Sequence, residues 1–152
     1  MNNDIPLTIV GNLTRDPELR FFPDGAAVVY MTVAHTPRVW SAAEKDYVAG
    51  TTTYLDVEVK SKGSEKQNDY IERISNELQK GDRVIATGIL ITKERKRDGE
   101  TRRFMSLLAD EIAPSNRFVS VTVHRKPKAE PQPQATEAPA TPLSRPPLSQ
   151  MD

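Results

Sequence analysis

Between residues 5 and 60 apolar and polar positions alternate with a period of two, and β-branched residues fill much of each run, so the pattern predicts strands. The first strand covers residues 5–12, with Leu7 and Ile9 on one side; Pro6 cannot donate to a ladder and belongs at its start or on an edge. The second runs over residues 26–36, sets Val29, Met31 and Val33 on one face and Val28, Tyr30 and Thr32 on the other, and stops at Pro37. The third, residues 52–60, turns Leu55, Val57 and Val59 inward and leaves Tyr54, Asp56, Glu58 and Lys60 as an outward row.

The period then changes. Ser64 and Gln67 have the spacing of a capping box, able to satisfy free backbone N–H groups of a first helical turn. Tyr70, Ile74 and Leu78 recur every four residues, Ile71 widens the stripe, and Gly81 after Lys80 supplies a left-handed exit, so one helix with a core-facing stripe is expected. Alternation resumes over residues 84–92 and 101–109 around Arg97-Asp98-Gly99-Glu100, where Asp-Gly marks a tight hairpin turn. Three strands, a helix and a hairpin is the order of the oligonucleotide-binding (OB) fold, an all-β five-stranded barrel with one helix between strands three and four. After Pro114-Ser115, residues 118–123 alternate again with Val119, Val121 and Val123 on one side. This extra strand needs an edge, on its own barrel or on a neighbouring subunit.

Composition shortens the folded part. Seven of the 12 prolines fall after residue 126 (Pro127, Pro131, Pro133, Pro139, Pro142, Pro146 and Pro147), among Gln, Ala, Thr and Ser. Residues 126–152 therefore read as a disordered tail and residues 1–125 as the domain. Cysteine is absent, which excludes a disulfide framework, a thiolate metal site and a cysteine nucleophile. The start Met-Asn-Asn-Asp has no basic and apolar leader pattern, and no run has the length of a membrane span, so the expected location is cytoplasmic.

Charge is locally uneven. Residues 1–125 carry 18 Lys plus Arg and 18 Asp plus Glu, but Lys93, Arg95, Lys96, Arg97, Arg102 and Arg103 cluster around the predicted hairpin against Glu94, Asp98 and Glu100. A solvated hairpin tip would look the same. Binding single strands without sequence preference requires rings on which bases stack and cations that follow the phosphates. Trp40, Tyr47 and Tyr54 are the candidate rings; a tyrosine on a strand is also an ordinary packing residue, whereas Trp40 stands among Ser, Ala, Glu and Lys. Arg20, Arg38, Lys93, Arg95, Arg97 and Arg103 are the candidate phosphate contacts.

Residues 11–20, Gly-Asn-Leu-Thr-Arg-Asp-Pro-Glu-Leu-Arg, closely resemble the opening of the bacterial single-stranded DNA-binding proteins. The resemblance extends over about residues 5–124 through Pro23-x-Gly25-x-Ala27-Val28, Thr32-Val33-Ala34, Lys80-Gly81, Gly88-x-Leu90 and Asp110-Glu111-Ile112. Thr36-Pro37-Arg38 and the segment from Asp110 to Ser115 are similar to the actinobacterial variant. The resemblance implies an OB barrel that coats and protects single-stranded DNA in replication, recombination and repair. It implies a nucleoid-associated homo-oligomer, a tetramer rather than a dimer, in which the extra strand clamps subunits together. It also implies stacking at Trp40, Tyr47 and Tyr54.

The chain departs from that pattern in four places. Lys60 and Arg95 occupy positions where the family commonly has rings; Asp56 and Glu58 beside Tyr54 would repel phosphate; and the segment 60–70 is longer than usual. The terminus, Leu148-Ser149-Gln150-Met151-Asp152, lacks the family's acidic tip closing in Pro-Phe, so recruitment of replication or repair proteins through the tail is not expected. The two acids also keep open a rival reading, an OB adaptor or assembly module of a replication complex with weak DNA affinity. Catalysis has no residues to rest on: His35 and His124 stand apart, Asp110 and Glu111 point to opposite faces, and no phosphate loop, cofactor motif or metal-ligand spacing occurs.

Overall fold

A computed structural model describes residues 3–128. Five strands, β1 (Ile5–Leu13), β3 (Ala27–His35), β6 (Thr53–Ser61), β7 (Arg83–Arg97) and β8 (Glu100–Pro114), are hydrogen-bonded in the order β1-β7-β8-β6-β3, and β3 pairs back onto β1 to close a barrel. Closure comes from a short antiparallel contact, Asn12 opposite Ala34 and Leu13 opposite Val33, and β6 and β8 run parallel through Asp56, Val57 and Glu58. The remaining barrel pairs are antiparallel. This is the five-stranded barrel expected from the alternation. Its interior is filled by the predicted inward residues, Val29, Met31, Val33 and Val57, together with Val84 and Leu107.

Helix α1 (Glu65–Glu77) turns Ile71 and Ile74 into the same core, and Leu78 follows at its C-cap. Ser64 caps it by accepting from the Gln67 N–H, as its spacing predicts. The Gln67 side chain, however, reaches back past the cap to accept from the Lys62 N–H at 3.0 Å. The helix ends at Glu77, with Leu78 already extended, rather than at Lys80; Gly81, with φ of +92°, serves the next turn, where its N–H donates to the Leu13 carbonyl. Tyr70 packs against the core and exchanges hydrogen bonds with the Ile112 backbone, accepting from the N–H at 2.9 Å and donating to the carbonyl at 3.4 Å. Burial pushes its phenol above the usual tyrosine range.

Three departures from the sequence reading matter for the site. Part of the 11–20 block forms a strand, β2 (Glu18–Phe21), which pairs with β3 at the sheet edge. The region after Pro37, to which the pattern assigns no element, forms a hairpin, β4 (Arg38–Ser41) and β5 (Asp46–Ala49), as a separate two-stranded sheet. The extra strand expected over residues 118–123 does not form: these residues have no ladder, and Phe118, Val119 and Val121 are exposed. Alternation supplies an apolar side but not the edge on which to place it.

A first compact unit runs to Val121; residues 122–128, the described part of the second, contain no helix or strand. The expected tail, residues 126–152, lies outside the described residues from 129 onward. Among the described residues no helix is long and apolar enough to cross a membrane, and no cluster of three or more His, Asp or Glu is arranged to hold a metal ion.

Candidate nucleic-acid interface

The β7–β8 hairpin is built by its turn. Asp98 and Gly99 both adopt positive φ, 52° and 82°, the conformation in which a two-residue loop matches the twist of its strands. That turn fixes the register: Arg97 faces Glu100, Arg95 faces Arg102, Glu94 faces Arg103 and Lys93 faces Phe104. Because side chains alternate, Lys93, Arg95, Arg97, Arg102 and Phe104 share one side of the hairpin while Glu94 and Arg103 share the other. The Arg95 guanidinium lies over the Phe104 ring, 5.3 Å from its centroid. Arg97 and Arg102 are largely solvated, with acids no nearer than 3.9 Å. Arg103 is bonded to Glu94 at 2.7 Å, so this predicted phosphate contact stands on the opposite side with its charge already matched.

The cationic side opens on a groove of ≈ 440 Å³ whose lining includes the cations Arg15, Arg20, Lys93 and Arg95, the rings of Tyr30 and Phe104, and the acids Glu18, Asp56 and Glu94, so that Glu94 borders the groove from the far side of the ladder. A neighbouring hollow is lined by Asp56, Arg95, Arg97, Arg102 and Phe104. β2, β3, β6 and the hairpin thus contribute to one continuous polar surface. Arg20 lies over the Tyr30 ring at 5.4 Å, and Lys93 lies over the same ring at 5.6 Å. Arg20 also donates twice to Glu18, and this bonding holds the Glu18 carboxyl below, and the Arg20 guanidinium above, their ordinary ranges.

The outward row of β6 divides. Tyr54 is 67% exposed and Asp56, also exposed, accepts from the Thr32 hydroxyl at 2.8 Å. Glu58, expected to be an open acid repelling phosphate, is instead 1% exposed. Lys93 donates to its Oε2, and Lys60 approaches its Oε1 to 3.3 Å without forming a hydrogen bond. The acid and its two lysines are therefore one local group with a net charge of about +1.

Trp40 and Tyr47 lie outside the groove lining, on the β4–β5 hairpin. They are directly opposed across the ladder, their rings meet edge to face with centroids 5.4 Å apart, and they are 58% and 55% exposed. Arg38, predicted to hold phosphate, donates to the Tyr47 carbonyl and braces this hairpin.

The single-strand binding protein family model matches residues 5–115, most of the chain and the whole barrel. This chain belongs to that family. Among its relatives, a single-stranded DNA-binding protein of Paenarthrobacter nicotinovorans is 36% identical over 126 residues, covering 82% of this chain and 70% of the relative. One from Mycolicibacterium smegmatis is 38% identical over 128 residues, covering 82% and 72%. Both sources fit the actinobacterial resemblance of the sequence. The crystal structure of a small single-stranded DNA-binding protein from Streptomyces coelicolor superposes with a TM-score of 0.61 over 75% of this chain and 96% of its own, at 24% identity, and supports the fold.

Tyr30, Arg15, Arg102 and Phe104 join the surface without being candidate contacts in the sequence, although Arg102 belongs to the cationic cluster there and Tyr30 to an outward strand face. For Arg102 and Phe104 the signal was available: a two-residue Asp98-Gly99 turn pairs 95 with 102 and 93 with 104 by counting outward. For Tyr30 alternation gives the outward face but not its neighbours, which come from the pairing of β2 with β3, and Arg15 precedes β2 in a segment to which the pattern assigns no element.

Proposed function

We propose that this chain binds single-stranded DNA with little sequence preference and coats and protects exposed strands during replication, recombination and repair. The observation that carries this reading is the hairpin side shared by Arg95, Arg97, Arg102 and Phe104, on which Arg95 lies over the Phe104 ring and lines the groove with it, while Arg97 and Arg102 line the neighbouring hollow. Such a surface offers cations to any phosphate and π-faces to any base, with no array of donors aimed at particular base edges. Tyr54 extends it along β6, and the Trp40–Tyr47 pair supplies a second exposed aromatic platform. Membership of the single-strand binding family and the names of the relatives support the same reading. The chain acts by binding rather than by catalysis.

We also read the working form as a homo-oligomer, a tetramer in preference to a dimer. Phe118, Val119 and Val121 follow the last barrel strand as an exposed apolar run without a ladder partner among the described residues, and a neighbouring subunit's sheet edge is the partner such a run fits. Light scattering after size exclusion should give a multiple of the 17.0 kDa chain mass, reduced on deletion of residues 116–125. An unchanged mass would remove this segment as the clamp.

The DNA reading is tested by the anisotropy of labelled oligo-dT, a mixed-sequence single strand and a duplex at low and high salt. Comparable binding of both single strands, weaker binding of duplex and a loss of affinity with salt are expected. Preference for duplex, or no binding at low salt, would reject it in favour of an adaptor role.

A further inference from the structure

A carboxylate buried beneath a nucleic-acid surface calls for a reason, because removing an ion from water costs several kcal/mol unless partners replace the solvent. Glu58 sits on the outward row of β6, so the barrel does not require it for its core, yet it is 1% exposed. Its cover is Lys93, from β7, and Lys60, two residues along its own strand. Both lysines remain in contact with solvent, with side-chain exposures of 30% and 46%, and Lys93 lines the groove. Lys93 also lies over Tyr30, 5.6 Å from the ring centroid. A single acid therefore fixes where the Lys93 ammonium stands and offsets one of the two positive charges carried by Lys93, which lines the groove, and Lys60.

We propose that Glu58 is a positioning residue that limits DNA affinity: it occupies Lys60 and Lys93 as an internal substitute for phosphate, so a bound strand meets one net charge where the side chains alone would offer two. The inference rests on the proposed DNA binding and refines it. A phosphate that approaches Lys93 competes with Glu58 for the same ammonium and meets the unscreened repulsion of a carboxylate with little water around it. Removing the acid's charge releases both lysines to the strand. Since each phosphate neutralised on a single strand contributes about −0.7 to the slope of log K against log salt, raising the group from one net charge to two steepens that slope by about 0.7.

The test compares oligo-dT binding by the full chain and by Glu58→Gln across a salt series, with thermal denaturation to verify folding. Glu58→Gln should bind roughly threefold to tenfold more tightly at low salt, show the steeper slope, and lose its advantage as salt rises. Adding Lys93→Met to Glu58→Gln should return the slope toward that of the parent chain. Glu58→Met, which fills a similar volume without charge, gives a second route to the same comparison. A folded Glu58→Gln or Glu58→Met chain with an unchanged or flatter slope would overturn the proposal, and so would unfolding of both variants, which assigns Glu58 to stability alone. Failure of the parent chain to bind oligo-dT would reject DNA binding itself.

Discussion

The guanidinium of Arg95 lies over the ring of Phe104, a cation from one strand of the hairpin resting on an aromatic ring from the other, 5.3 Å from centroid to Cζ. The contact exists because the two-residue turn at Asp98-Gly99 puts both residues on one side of the ladder, while Glu94 and Arg103 pair on the other.

Removing cations from the two sides should therefore have different effects. Arg95→Ala, Arg97→Ala and Arg102→Ala should each flatten the salt dependence of oligo-dT binding by about 0.7. Arg103→Ala, on the far side and bonded to Glu94, should change the slope by less than half as much. Equal slopes for Arg95→Ala and Arg103→Ala would show that the strand does not distinguish the two sides.

Exposed rings should contribute to binding and little to folding. Trp40→Ala and Tyr54→Ala should each weaken oligo-dT binding roughly 5- to 150-fold, the equivalent of about 1–3 kcal/mol per lost base stack. Thermal stability should stay within about 0.5 kcal/mol of the parent, because both side chains are more than half exposed. A large fall in stability without loss of binding would make them packing residues.

Gly88 marks the place where the β7–β8 register shifts. A Cβ there would press on the backbone of Leu108 and lie 2.7 Å from the Ala109 Cα, and neither has room to move within the ladder. Gly88→Ala should destabilise the barrel by about 1–3 kcal/mol, measured by denaturant or thermal unfolding.

Much of this architecture was legible beforehand. Val29, Met31, Val33 and Val57 declared their face by alternation, Ser64 declared a helix start, and Asp98-Gly99 declared a turn. Glu58 shows where such reading stops. Alternation assigned it correctly to the outward side, but its cover comes from Lys93, 35 residues further along, and a long-range contact leaves no periodic trace. The β4–β5 hairpin was missed for a related reason: its strands are four residues each, too short for a period to register, and its signature is the pairing of Trp40 with Tyr47. Residues 118–123 carry a strand's pattern and form no strand within the described residues, which leaves a neighbouring subunit's edge, the other place that the pattern allowed.

Tyr70 predicts a pH dependence of stability. Its phenol is raised above the unfolded value by burial, so the folded chain keeps this proton at pH values where the unfolded chain releases it. The resulting stabilisation is complete below about pH 10, the ordinary tyrosine range, and is lost as pH rises through the folded value. Tyr70→Phe should lower stability by about 1–3 kcal/mol at neutral pH, because the buried Ile112 N–H loses its partner, and should decline less steeply than the parent above pH 10. Parallel pH profiles for the two chains would contradict the assignment.

Trp40 is the only tryptophan in the chain, so its fluorescence reports binding and the occupied platform in one signal. Titration of the purified protein with oligo-dT should quench that fluorescence strongly, with the quenching weakened by high salt and not reproduced by duplex DNA. An unchanged emission spectrum, together with an unshifted oligonucleotide in a parallel mobility assay, would contradict single-stranded DNA binding by this barrel.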